Sequence, residues 1–87
     1  MPTLRLPTTL PTVFPGLPRE LELDASTVDD AIAQLDERWP GLRDRLCEPG
    51  PVLRRHINVY VDGTRGALDT ELAPTSRVDV IAAISGG

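Results

Sequence analysis

Reactive side chains are scarce in this sequence. Beyond carboxylates, guanidiniums and hydroxyls it offers one histidine, His56, and one cysteine, Cys47. Their spacing matches no metal-binding pattern, and two such ligands would need carboxylates to complete a site, so no metal is expected. Cys47 has neither a CxxC partner nor a neighbouring histidine to make it a nucleophile, and it reads as a small filler or a surface thiol. His56, between Arg55 and Ile57, reads as a strand-edge residue. The glycines are scattered as turn punctuation and form no phosphate-cradling loop. The acidic pairs Asp29-Asp30 and Asp36-Glu37 fall on one helical segment and read as its solvated face. Ion pairing with those acids is the expected role of Arg38, Arg43, Arg45, Arg54 and Arg55. No active site for an enzyme acting alone can be assembled from these groups.

What remains is Ser85-Gly86-Gly87 and its carboxylate. Glycine loses more freedom on ordering than any other residue, so a terminal Gly-Gly does nothing for a fold. It makes a thin thread without Cβ atoms, able to enter a narrow channel and place a carboxylate deep in a partner's site. A carboxylate is inert until activated. As an acyl-adenylate it is an electrophile for a thiol, a persulfide or an amine. Gly-Gly is a short signal, and its force comes from its place directly after a strand, Val78 to Ile84.

The elements that hold this thread are readable from alternation and punctuation. Eighty-seven residues make one small domain, and 23 of the 35 apolar residues are Leu, Val or Ile, enough for one thin core. Leu4 and Leu6 alternate with Thr3 and Arg5 as a short strand. Pro7, Pro11, Pro15 and Pro18 then exclude a helix or a central strand, leaving a stiff loop. Leu21 and Leu23 alternate with Glu20 and Glu22 in a second strand. Ser26 or Thr27 followed by Asp29 and Asp30 starts a helix, and Val28, Ala31, Ile32, Leu35 and Trp39 form its apolar stripe until Pro40-Gly41 stops it. Leu42 and Leu46 close over the core edge from a short turn, and Glu48 to Pro51 reads as a loop. Ile57 to Val61 is the clearest strand, ended by the Asp62-Gly63 turn. Ala67 to Pro74 is ambiguous between strand and turn, with Leu68 and Leu72 inward. One helix across one face of a mixed four- or five-stranded sheet satisfies this order and leaves the other face open. If Val59 and Val80 point to the helix, Tyr60 and Ile81 point away, either as ordinary surface residues or as an apolar spot for a partner.

Thirteen acidic against nine basic residues, all nine of them arginine, give a net charge of −4 and disfavour nucleic acid. A lone cysteine excludes a disulfide framework. The longest apolar run is far short of a membrane span, and no leader opens the sequence, so a soluble cytoplasmic domain is expected.

The chain resembles the ubiquitin-like sulfur carriers of the MoaD/ThiS family across essentially its whole length. The resemblance is carried by Trp39-Pro40-Gly41-Leu42-Arg43-Asp44-Arg45-Leu46, by Ile57-Asn58-Val59-Tyr60-Val61-Asp62-Gly63, by Leu68-Asp69-Thr70-Glu71-Leu72 and by Val78 to Gly87. Leu6-Pro7-Thr8-Thr9-Leu10 and the Pro-containing stretch before Ile57 look most like CysO-type carriers. The resemblance implies a β-grasp fold, a single domain over 1–87 with a flexible tail at 85–87. It implies that an activating enzyme spends ATP and magnesium to adenylate the carboxylate of Gly87. A sulfurtransferase step then gives a thiocarboxylate, and an accepting synthase takes the sulfur, with Gly86 permitting threading. The carrier itself binds no cofactor and is a co-substrate, not an enzyme. Ile81 falls where the family often has an apolar residue that docks on partners, and Ile81, Tyr60, Ala83 and Ser85 are the expected partner-binding residues. Sulfur delivery for cysteine or another sulfur-containing metabolite is the leading expectation. The alternatives are the small subunit of molybdopterin synthase and an interaction module or tag without sulfur chemistry. Three departures concern partner identity: Thr75-Ser76-Arg77 replaces a Gly-Asp-Glu turn, Ala82-Ala83 a Pro-containing pair, and Ser85 an alanine.

Overall fold

The computed structural model describes residues 1–50 and 52–82. Strands β1 (Thr3–Arg5) and β2 (Glu20–Glu22) pair antiparallel, with Leu4 opposite Leu21. Between them lies α1 (Leu10–Val13), one turn of helix inside the stretch expected to exclude helix. Pro11 sits in the first turn, where its missing N–H costs no hydrogen bond, and Leu10 is buried. Proline therefore shapes this helix instead of forbidding it.

The main helix is α2 (Val28–Arg38). Thr27 caps it, accepting from the Asp30 N–H at 3.0 Å, and Asp30 accepts from the Ser26 N–H at 3.0 Å. Two further first-turn donors go to the segment that sequence left ambiguous. Val28 N–H donates to the Thr70 carbonyl at 3.1 Å and Asp29 N–H to the Leu68 carbonyl at 2.8 Å. The 67–72 segment thus satisfies the open end of the helix, joined to it by a single Thr27–Glu71 bridge. At the other end Gly41 takes a left-handed conformation (φ +96°), and Asp36 accepts from the N–H groups of Gly41 and Arg43 at 3.1 and 3.0 Å. That bend starts α3 (Leu42–Leu46), and Arg43 reaches back to Asp29. Asp29, Asp30 and Asp36 are therefore fastening groups, not a merely solvated face. Of the five arginines expected to pair with those acids, only Arg43 does so among the described residues.

Strands β3 (Cys47–Glu48) and β4 (Val52–Leu53) form a small separate ladder, with Cys47 opposite Leu53 and Glu48 opposite Val52. Of the expected Glu48–Pro51 loop, Glu48 belongs to β3, Pro49 and Gly50 form a turn, and Pro51 lies outside the described residues. His56 lies exposed in the turn before β5 (Ile57–Val61), one step outside the strand edge where it was expected. Asp62 and Gly63, both with positive φ, turn the chain into β6 (Thr64–Arg65). The last strand is β7 (Arg77–Ala82).

The main sheet has five strands in the order β2-β1-β7-β5-β6, mixed because β1 and β7 run parallel. The fold is α+β, a β-grasp with α2 over one face, as expected. Leu4, Leu6, Val59, Val78 and Val80 of the sheet segment join Val28, Ala31, Ile32 and Leu35 of α2 and Leu42 and Leu46 of α3 in one buried cluster. Each such aliphatic side chain contributes about 1.5–3 kcal/mol when taken fully from water. The cluster uses one face of each strand only, which is why the opposite face is free.

Candidate functional site

The open face is set by register. Ile57, Val59 and Val80 are buried, Val61 and Ala82 pack on the cluster, and Ile81 between them is 47% exposed. Asn58 lies opposite Ile81 and Tyr60 opposite Asp79 on adjoining strands, so Tyr60 and Ile81 share a face as diagonal neighbours. The inward and outward assignments stand as the alternation predicted for Ile57–Val61 and for Val78–Ala82; Ala83 and Ile84 of the expected last strand lie outside the described residues.

Register also builds a feature that local sequence could not show. Glu20 pairs with Arg5, Arg5 with Asp79, Asp79 with Tyr60 and Tyr60 with Arg65, a row crossing all five strands of the outer face. Charge alternates along it except at the tyrosine. Arg65 donates to Asn58 Oδ1 at 2.8 Å, and Arg77 Nε lies 3.8 Å from Asp79 Oδ2. A shallow groove of about 570 Å³ opens beside this row, lined by Arg5, Pro7, Arg19, Tyr60, Asp79 and Ile81 among others. Its lining mixes apolar side chains with the charges of Arg5, Arg19 and Asp79. Arg5, Pro7 and Arg19 were missed as site residues because parallel pairing of β1 with β7 is long-range. The outward phase of Arg5 between Leu4 and Leu6 was the available signal.

The groove includes Ala82, the last described residue of β7. Ala83 and Ser85, expected to bind partners, and Gly86 and Gly87, expected to carry the chemistry, lie outside the described residues. The turn before β7 departs from the family pattern but is self-sufficient. Ser76 is buried, and its hydroxyl accepts from the Ala73 N–H at 2.8 Å. Arg77 follows it, exposed, beside Asp79.

Elsewhere the chemistry is quiet. Cys47 is 5% exposed, a core filler, and burial pushes its thiol pKa up against the opposing pull of Arg43. The hydrogen bond from Arg43 to Asp29 raises the arginine pKa further from neutrality. Among the described residues no three His, Cys, Asp or Glu side chains converge on a metal-sized site. No helix among them is long and apolar enough to cross a membrane.

The ThiS family model matches residues 13–87. The chain belongs to the ThiS family. It is a ubiquitin-like sulfur carrier by family and by its β-grasp fold. It is similar to a chain of the Amycolatopsis orientalis BexX/CysO complex, with 30% identity, all of both chains covered and a TM-score of 0.87. Mycobacterium tuberculosis CysO, an antigen, is 26% identical over 97% of this chain and all of that one, with a TM-score of 0.83. SAMP1 from Haloferax volcanii is 28% identical over 99% and 98% of the two chains, with a TM-score of 0.76. Comparison with the curated proteins gives no match.

Proposed function

We propose that this ThiS-family chain carries sulfur as a thiocarboxylate on Gly87. A partner adenylyltransferase of the ubiquitin-activating type joins the Gly87 carboxylate to the α-phosphate of magnesium-bound ATP and releases pyrophosphate. Hydrosulfide then attacks the acyl carbon, the acyl–phosphate bond breaks, and AMP leaves. The thiocarboxylate donates its sulfur on a second partner, a synthase of cysteine or of another sulfur-containing metabolite. The chain acts as co-substrate and is recharged.

The observation that supports this reading is the placement of β7. That strand is held on one side by β1 and on the other by β5, and Gly86-Gly87 follow within five residues of its end. A partner gripping the outer face around Tyr60 and Ile81 would hold the strand from which the reactive end departs. Similarity to a chain of the BexX/CysO complex favours a carrier that works docked on a partner protein. Similarity to SAMP1, a small archaeal modifier protein, favours a second reading in which the same activated carboxyl is joined to amines of other proteins.

The test is intact mass after incubation with sulfide, ATP, magnesium and the cognate activating enzyme. Exchange of one oxygen for sulfur, localised to Gly87 and reactive with an alkylating agent, is expected. Charging that stops at the adenylate, with conjugates to other proteins in the host, would replace this reading by the modifier one.

A further inference from the structure

An activated carboxyl is consumed by any amine or thiolate that reaches it. The nucleophile bonds to the acyl carbon, AMP or a thiol leaves, and the proton goes to solvent. Resting on the reading that Gly87 is activated, the question is what this domain itself presents to that electrophile.

The 87 residues contain no lysine. Four arginines occupy sites that suit a guanidinium. Arg43 bonds Asp29, Arg54 Nε donates to the Asp44 carbonyl at 2.7 Å, Arg65 bonds Asn58, and Arg77 neighbours Asp79. The other five, Arg5, Arg19, Arg38, Arg45 and Arg55, are exposed and make no side-chain hydrogen bond or ion pair with the described residues. At such positions the fold asks only for a solvated positive charge, which a lysine supplies equally well. The difference left is chemical: the ammonium can lose its proton and be acylated, while the guanidinium stays protonated.

Geometry shows where that difference matters. Arg5 lies opposite Asp79, three residues back from Ala82 on the neighbouring strand, about 11 Å away at ordinary strand spacings. Arg19 is at the level of Leu6, its carbonyl accepting from the Leu6 N–H at 2.8 Å, and it lines the same groove. Residues 83–87 span at most about 18 Å, so the length of chain after Ala82 suffices to bring the activated end to an amine at either position. The remaining nucleophiles do not compete. Cys47 is buried. Met1 lies beyond Thr3, which pairs with Arg77 at the opposite end of the parallel strands, about 23 Å from Ala82. An acyl group on His56 or on the Tyr60 phenol is lost again to water or thiol, and the alkyl hydroxyls of serine and threonine attack too slowly to compete with an amine.

We propose that Arg5 and Arg19 are specificity positions, giving the face beside the reactive end its positive charge without an amine within that end's reach. The acyl group then passes only to a nucleophile that a partner supplies.

The test bypasses the activating enzyme, so its failure is distinct from a failure of sulfur charging. The 87-residue chain is prepared as a C-terminal thioester by thiol cleavage of an intein fusion. It is held folded at mildly alkaline pH and low concentration, and products are read by intact mass and peptide mapping. Wild type is expected to hydrolyse to the acid. R5K and R19K, checked for native circular dichroism, are each expected to close an internal amide. The lactam-to-acid ratio should rise at least ~10-fold over wild type, because a tethered amine sits at roughly millimolar effective concentration. Lactam or a Cys47 thiolactone in folded wild type would overturn the proposal, as would hydrolysis of both variants at the wild-type product ratio.

Discussion

Neighbouring residues of β7 make the sharpest test of the site, because register gives them opposite duties. Val80 is 4% exposed in the core and Ile81 is 47% exposed on the outer face. Val80→Ala removes two methyl groups from full burial, about 1.6 kcal/mol at ~0.8 kcal/mol per group. The cavity left behind raises the cost to about 2–3 kcal/mol. Ile81→Ala removes three carbons that are only half buried, so folding loses about 1.2 kcal/mol by the same coefficient. A partner that covers the exposed half gains a similar amount. Its loss on truncation corresponds to about 8-fold weaker docking.

The two variants should therefore separate stability from recognition. Trp39, the one tryptophan, packs against the core at the end of α2 and reports unfolding by its fluorescence in urea. Docking is read as the carrier concentration that half-saturates the activating enzyme. Val80→Ala should lower the urea midpoint about twice as far as Ile81→Ala while leaving half-saturation unchanged in the folded range. Ile81→Ala should raise half-saturation several-fold. Greater destabilisation by Ile81→Ala than by Val80→Ala would mean that the strand is out of phase by one residue, since a one-residue slip exchanges the two faces. Unchanged half-saturation for Ile81→Ala would move the docking face away from the sheet.

Deleting Gly87 should abolish sulfur charging and leave the urea midpoint where it is; a loss of folding would contradict a purely chemical role for the residue. Thr27→Ala removes the oxygen that accepts from Asp30 at 3.0 Å and should cost about 1 kcal/mol in urea unfolding, with Thr27→Ser restoring most of it. Burial raises the Cys47 thiol pKa in the folded chain. The unfolded chain therefore ionises first, and this contribution, whole below the ordinary cysteine value of about 8.5, is lost as pH rises above it. Cys47→Ala should flatten the alkaline part of the stability profile, and in native protein the thiol should alkylate far more slowly than in urea.

The elements legible in the sequence were those whose signals are local. Ile57 to Val61 carried strict alternation, branched side chains and a closing Asp-Gly, and it is β5 to the residue. Helix α2 carried a cap, early acids and an apolar stripe, and its observed cap is Thr27. Elements missed had signals that were absent or pointed the wrong way. Four prolines argued against α1, yet a proline in a first turn removes only a donor that had no partner. Strands β3, β4 and β6, of two residues each, are too short to show a period and exist through their partners. The 67–72 segment has no regular pattern because its task is to accept from the first turn of α2. At the site, Tyr60 and Ile81 were legible from alternation alone. The row from Glu20 to Arg65 was not, because it depends on which strands are neighbours, information held in pairings between distant parts of the chain.

On the reading proposed above, that neighbour order is what lets the chain present a reactive end to its partners. A carrier must present its reactive end to an activating enzyme and then to an acceptor, so the end cannot belong to a pocket of its own. It must still leave the domain from a fixed point, or each partner would bear the entropy of finding it. Placing β7 third of five strands meets the second need, since hydrogen bonds on both sides and the burial of Val78 and Val80 tie it to the core. Using only one face of the sheet for that core meets the first, because Tyr60, Asp79 and Ile81 remain available beside the exit. A partner that bound this face would grip the strand leading to Gly87, and docking would become alignment. The proposal for Arg5 and Arg19 follows the same economy: a face that guides partners would carry its positive charge there on groups that cannot react with what it guides.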